Sequence, residues 1–169
     1  LIARAREISA MEQIDWELDY SQGFDLLLPH LGNLREVEKM LRYSMLGEID
    51  LGNTSAALAD MQTMIEIVGH SSKSDLLISS LVSASGFSMV TASENIIDSV
   101  VSAEELASVL RATEKFEAFD PFGIRANVGK ERDITMDWLR NTENPDFSIF
   151  QSITGQQIDT SNLDMNDEL

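Results

Sequence analysis

The sequence predicts an all-α fold: about six helices in antiparallel hairpins, packed around one buried central helix and followed by an irregular acidic tail. Three observations carry this expectation. Apolar residues recur three and four apart through most of the first 141 residues. Gly, Asn, Ser and an Asp-Pro pair interrupt that pattern at helix-length intervals. The eighteen residues between Asp75 and Glu94, LLISSLVSASGFSMVTAS, carry no charge at all.

That uncharged stretch is the expected centre, a helix over 74–98. Leu77, Leu81 and Phe87, with Ala84 between, form one helical face; Ile78, Val82, Met89 and Ile96, with Ser85 and Ala92, form a second. A helix apolar on most sides belongs inside a bundle or a membrane, and this one is long enough to cross a bilayer. Six serines, a threonine and a glycine decide for the bundle, because a buried serine can bond back to its own helix. Ser79, Ser80, Ser83, Ala84 and Gly86 are small enough to let neighbouring helices approach. Ser72 or Ser74 is the expected cap, with Asp75 in the first turn.

The remaining elements follow in order. A first helix over 1–14 places Ile2, Ala5, Ile8 and Met11 on one side. Trp16, Tyr20 and Phe24 stand four apart, but Gly23 and Pro29 favour a structured loop that lays its aromatics on the bundle. Asn33 and Glu36 have capping-box spacing and start a second helix, with Leu34, Val37, Leu41, Met45 and Ile49 inward and a stop at Gly52. Asn53 or Thr54 caps a third, which buries Leu58, Met61, Ile65 and Val68 and ends at Gly69; so short a connection makes an antiparallel hairpin. Ser102 with Glu105 is a second capping box, opening a helix over 103–119 that turns Leu106, Val109, Leu110, Thr113 and Phe116 inward. Asp120 and Pro121 separate it from a last long helix over 122–141, which Gly123 and Gly129 weaken. Residues 1–141 therefore form a single helical domain. Residues 142–169 hold six acids and no Lys or Arg; this tail is expected to dock Phe147, Ile149, Phe150 and Ile153 on the bundle or a neighbour.

The last long helix carries the candidate site. Its inward stripe is Ile124, Val128, Thr135 and Trp138, and Glu131 falls inside it. An unpaired buried carboxylate costs several kcal/mol or takes up a proton. Glu131 is thus expected to meet a basic partner, Arg35 first and Arg111 second. A small-molecule or enzymatic pocket would lie where the loop carrying Tyr20 and His30 meets Arg35 and Glu131.

Composition narrows the function. The chain of 169 residues has 12 basic and 29 acidic side chains, a formal charge of −17. That sign opposes binding to a phosphate backbone or an anionic membrane surface. The absence of cysteine excludes thiolate metal sites and Cys nucleophiles. His30 and His70 are not at ligand spacing, so no metal site is expected. There is no phosphate loop or dinucleotide fingerprint, and no strand-turn-helix supports a Ser-His-Asp triad, so neither cofactor nor catalytic residue is expected. Asp15, Glu17 and Asp19 could bind calcium weakly, but without an EF-hand pattern they read as solvated surface. Eight methionines read as flexible core filler.

Two resemblances add to this. Residues 40–69 resemble a tetratricopeptide repeat: Tyr43, Leu46 and Gly47 match its first helix and Ala59 its second, whereas Asp50 and Thr63 replace aromatics, the closing proline is absent, and no second copy occurs at a period of about 34 residues. Over residues 18–140, Leu18-Asp19-Tyr20, Leu28-Pro29-His30-Leu31, Leu34-Arg35, Gly52-Asn53, Ala57-Leu58, Leu77-Ile78, Leu81-Val82 and Gly129-Lys130-Glu131-Arg132 together resemble an uncharacterised all-helical bacterial family. A Gly-Glu-Arg run is typical there, and Lys130 interrupts it here. The resemblance implies a membrane anchor near the N-terminus and a helical domain outside the inner membrane. The chain opens at Leu1 and not at methionine, which reads as an excised or processed part of a longer protein. The expected function is a non-catalytic protein-protein interaction or scaffolding domain of an envelope-associated protein; the alternative is a small-molecule binder or enzyme.

Overall fold

The computed structural model describes residues 1–92 and 102–142. Among them are six α-helices and no strand: α1 (Ile2–Ser9), α2 (Pro29–Asp50), α3 (Thr54–Ser71), α4 (Leu77–Thr91), α5 (Ala103–Thr113) and α6 (Ile124–Asn141), with a short 3-10 turn at Tyr20–Asp25. The fold is all-α. The expected run of the central helix through Ile96, and the expected docking of Phe147, Ile149, Phe150 and Ile153, fall outside the described residues. None of the helices described is long and apolar enough to cross a membrane.

α2 begins four residues before Asn33. Pro29 takes the first turn, where a missing N–H is no loss, and Asn33 lies within the helix. Gly52, at φ +75°, ends the hairpin's first arm, and the Asn53 N–H reaches back to the Glu48 carbonyl at 2.8 Å. α3 then runs back along α2. Twelve of its 18 residues are buried, including Leu58, Met61, Ile65 and Val68, so α3 and not α4 is the most enclosed helix. Leu41 and Met45 of α2, Ala5 of α1 and Val109 and Ala112 of α5 pack into the same core. The first-helix residues that carry the tetratricopeptide likeness face outward, Tyr43 being 70% exposed and Leu46 and Gly47 exposed, and Ala59 of the second is half-buried.

α4 is buried along one side only, and that side is its small one. Ser79, Ser80, Val82, Ser83, Gly86 and Val90 are buried, whereas Ile78 is 45% and Leu81 50% exposed. Volume overrides hydropathy here. α3 already fills the interior with Met and Ile side chains, so the helix laid on it must present small groups to come close. The buried hydroxyls are satisfied locally. Ser83 Oγ donates to the Ser79 carbonyl at 2.8 Å and meets Ser71 Oγ at 2.5 Å, and Ser79 Oγ donates to Ser74 Oγ at 3.1 Å.

α5 starts at the expected capping box, with the Glu105 N–H donating to Ser102 Oγ at 3.2 Å and the hydroxyl donating to the Glu105 carboxylate at 2.8 Å. It ends at Thr113, and Leu106, Leu110 and Phe119 stay exposed. Phe116 turns back to meet Phe87 and Phe122, ring centroids 5.6 to 5.9 Å apart, closing α4, α5 and the approach to α6 into one corner. Asp120 breaks the chain as expected and accepts from the Ala126 N–H at 3.0 Å. The inner face of α6 is Asn127, Glu131, Ile134 and Trp138, one position round from the expected stripe, with Ile124 and Val128 exposed. The 3-10 turn lies on α6, where Gly23 (φ +55°) abuts the Trp138 indole and leaves no room for a side chain.

Candidate functional site: the start of α4

A helix begins with four N–H groups that lack intrahelical partners. At α4 the flanking residue is Leu76, which cannot cap. The expected caps are engaged elsewhere: Ser72 Oγ bonds the Gly69 carbonyl, and Ser74 Oγ accepts from Ser79. The cap comes from α6, where Glu131 Oε2 accepts from the Leu77 N–H at 2.6 Å. A carboxylate suits the positive end of the α4 dipole. One turn earlier on α6, the buried Asn127 Nδ2 reaches the Ser74 carbonyl (2.5 Å), the Leu76 carbonyl (3.3 Å) and Ser80 Oγ (2.8 Å). Lys130 adds an ion pair to Asp75 at 2.5 Å. Three side chains of one turn of α6 thus hold the entry into α4.

The residues singled out from sequence divide accordingly. Tyr20 reaches this junction, its hydroxyl beside Ser74 and Asp75; burial first, then the Asp75 charge, raises its pKa. Glu131 is at the junction too, but its partner is the Leu77 N–H and not Arg35 or Arg111. Arg35 reaches Ser85 Oγ at 3.4 Å, further along α4. Arg111 is exposed on α5. His30 stacks on Trp16 with centroids 4.8 Å apart; its Nε2 is buried without a partner, and burial lowers its pKa. The cleft beside Tyr20, about 380 Å³, is lined by Ser21, Ile134, Asp137 and Trp138 and includes none of His30, Arg35 and Glu131.

Sequence reasoning missed Glu38. It belongs to the inner stripe of α2, four residues after Leu34 and three before Leu41, and assigning Val37 to that stripe hid it. Glu38 is fully buried, and neither carboxyl oxygen has a hydrogen-bond partner. Across from it is Gly86 of α4, where an added Cβ would lie 2.5 Å from Oε1. Burial pushes the Glu38 pKa up to about 7, with the Arg35 charge opposing.

A further polar cluster resembles a triad in composition but not in geometry. His70 Nε2–H donates to the Ser9 carbonyl at 2.9 Å, while Ser9 Oγ donates to Glu66 at 2.8 Å. The imidazole therefore does not face the hydroxyl it would have to deprotonate. Asp15 and Asp19 accept hydrogen bonds within their own turns, from the Glu17 N–H and from Ser21 and Gln22. Among the described residues no three His, Asp or Glu side chains converge as a metal site. No family model, curated protein or solved structure matches the chain.

Proposed function

We propose that this chain is a non-catalytic docking domain of a larger, envelope-associated protein, and that a protein partner seats on the outer strip of α4. The observation that carries this reading is the inversion of α4: Ile78 and Leu81 face solvent while Ser79, Ser80 and Ser83 face the core. Large apolar side chains on a helix without one charged residue suit a covered surface, since each, already about half buried, gains about 1 kcal/mol more when covered. With a chain charge of −17, the complementary partner has an apolar centre and a basic rim. The tetratricopeptide-like hairpin of α2 and α3 fits the same reading as a rigid support.

The rival reading, a small-molecule binder or enzyme, has less support. Of its residues only Tyr20 and Glu131 reach the start of α4, Tyr20 beside Ser74 and Asp75 and Glu131 engaged by the Leu77 N–H. The docking reading is tested by placing a photo-crosslinking residue at 78 or 81 in the native cell, with position 50 at the end of α2 as control. A discrete protein adduct from 78 and 81 and none from 50 is expected. Equal labelling at all three positions, or no adduct, overturns the proposal.

A further inference from the structure

Glu38 has a second place to go. Arg35 lies one turn before it on α2 and Arg42 one turn after, and the Arg42 Nε is itself buried without a partner. On the other side, Gly86 provides the only kind of surface on which a carboxyl group can rest directly against a helix backbone. We propose that Glu38 is a proton-operated latch: as a neutral acid it seats α4 on α2 at Gly86, and on ionisation it leaves that seat for Arg35 and Arg42 and frees α4.

Among the described residues there is no other outlet for the charge. α4 carries no acidic or basic side chain. On α3, Asp60 is paired with Arg6 of α1, Glu66 accepts from Ser9 and Gln62, and His70 is bonded to the Ser9 carbonyl. On α1, Arg4 pairs with Glu7, and on α2, Lys39 pairs with Glu36. Among the described residues, Arg35 is the one charge that acts on Glu38. An ionised carboxylate at zero exposure with no donor on either oxygen is not sustained; the group keeps its proton or moves.

The direction in pH follows. The pKa rises from an ordinary 4.5 to about 7 in the folded chain. Below 4.5 the acid is neutral seated or released, and the seat is at its firmest. Between 4.5 and about 7 the released form ionises while the seated form holds its proton, so the latch weakens as pH rises and the loss is complete above about 7. His30 and His70, whose pKa values burial lowers, act oppositely, losing stability as pH falls below 6.5.

Hydrogen exchange on the full chain from about pH 5 to about pH 8, corrected for the intrinsic rate, tests this against Glu38→Gln, in which both histidines are unchanged. In the wild type, α4 amides should lose protection about 70-fold between about pH 5 and about pH 8, most of it below about pH 7, while α3 amides keep theirs. In Glu38→Gln the α4 protection should not fall as pH rises over this range. The same pH dependence in both proteins, or loss of α3 protection in step with α4, overturns the latch. Carboxyl NMR of the wild type gives a check that needs no variant: Glu38 titrating near 7 is expected, and titration near 4.5 overturns it.

Discussion

Asn127 and Glu131 do for α4 what its own sequence does not. With Leu76 at the cap position, the entry into the helix depends on side chains 51 to 54 residues away. Asn127→Ala should cost about 1–3 kcal/mol, because the Ser74 and Leu76 carbonyls lose their shared donor. Glu131→Ala should cost about 1 kcal/mol, the value of a lost N-cap. Urea unfolding measures both, and because the two serve one junction the double variant should lose less than the sum. Gly86→Ala should cost about 1–3 kcal/mol by driving a methyl into the Glu38 carboxyl. In a Glu38→Ala background that penalty should largely vanish; an undiminished cost would show that the contact does not set it. Glu131 was legible as a polar residue inside an apolar stripe, and Glu38 was equally so, four residues from Leu34. What spacing could not supply was either partner, since Leu77 and Gly86 arrive from another helix.

At the scale of the element, α4 departs most from expectation. Hydropathy places Ile78 and Leu81 inside, and steric fit places Ser79, Ser80 and Ser83 there instead. Leu81→Ser should therefore change stability by no more than about 0.5 kcal/mol, while Ser83→Leu, the more hydrophobic change, should cost about 1–3 kcal/mol through overpacking. Thermal or urea unfolding of the pair decides it, and the opposite order would mean that α4 is turned the other way. Where a helix end is encoded within one turn, the sequence was sufficient. Gly52 stops α2, Ser102 with Glu105 opens α5, and Asp120 bonds into the start of α6.

Over the whole molecule, charge works against compactness. Three of the described ion pairs, Arg4–Glu7, Lys39–Glu36 and Arg140–Asp137, join residues three apart on exposed helix surface and contribute little. Among the described pairs, Arg6–Asp60 ties α1 to α3, and Lys130–Asp75 ties α6 to the segment that leads into α4. With 29 acids against 12 bases, self-repulsion should be relieved by salt. Raising NaCl from about 10 to about 300 mM should lift Tm by about 2–4 °C, the equivalent of about 1 kcal/mol. Calorimetry reads this directly, and a Tm that falls with salt would place the weight on the ion pairs instead.

By itself the sequence determined that the chain is helical, where α2 and α3 part, and that Leu58, Met61, Ile65 and Val68 form the heart of α3. Those features depend on a 3.6-residue period and on glycine and cap chemistry that act within a turn or two. Only the tertiary structure decided which face of α4 turns inward, that α6 supplies its cap, and that Glu38 is sealed against Gly86. These are matters of volume and of partners brought from distant segments, and no local period encodes them.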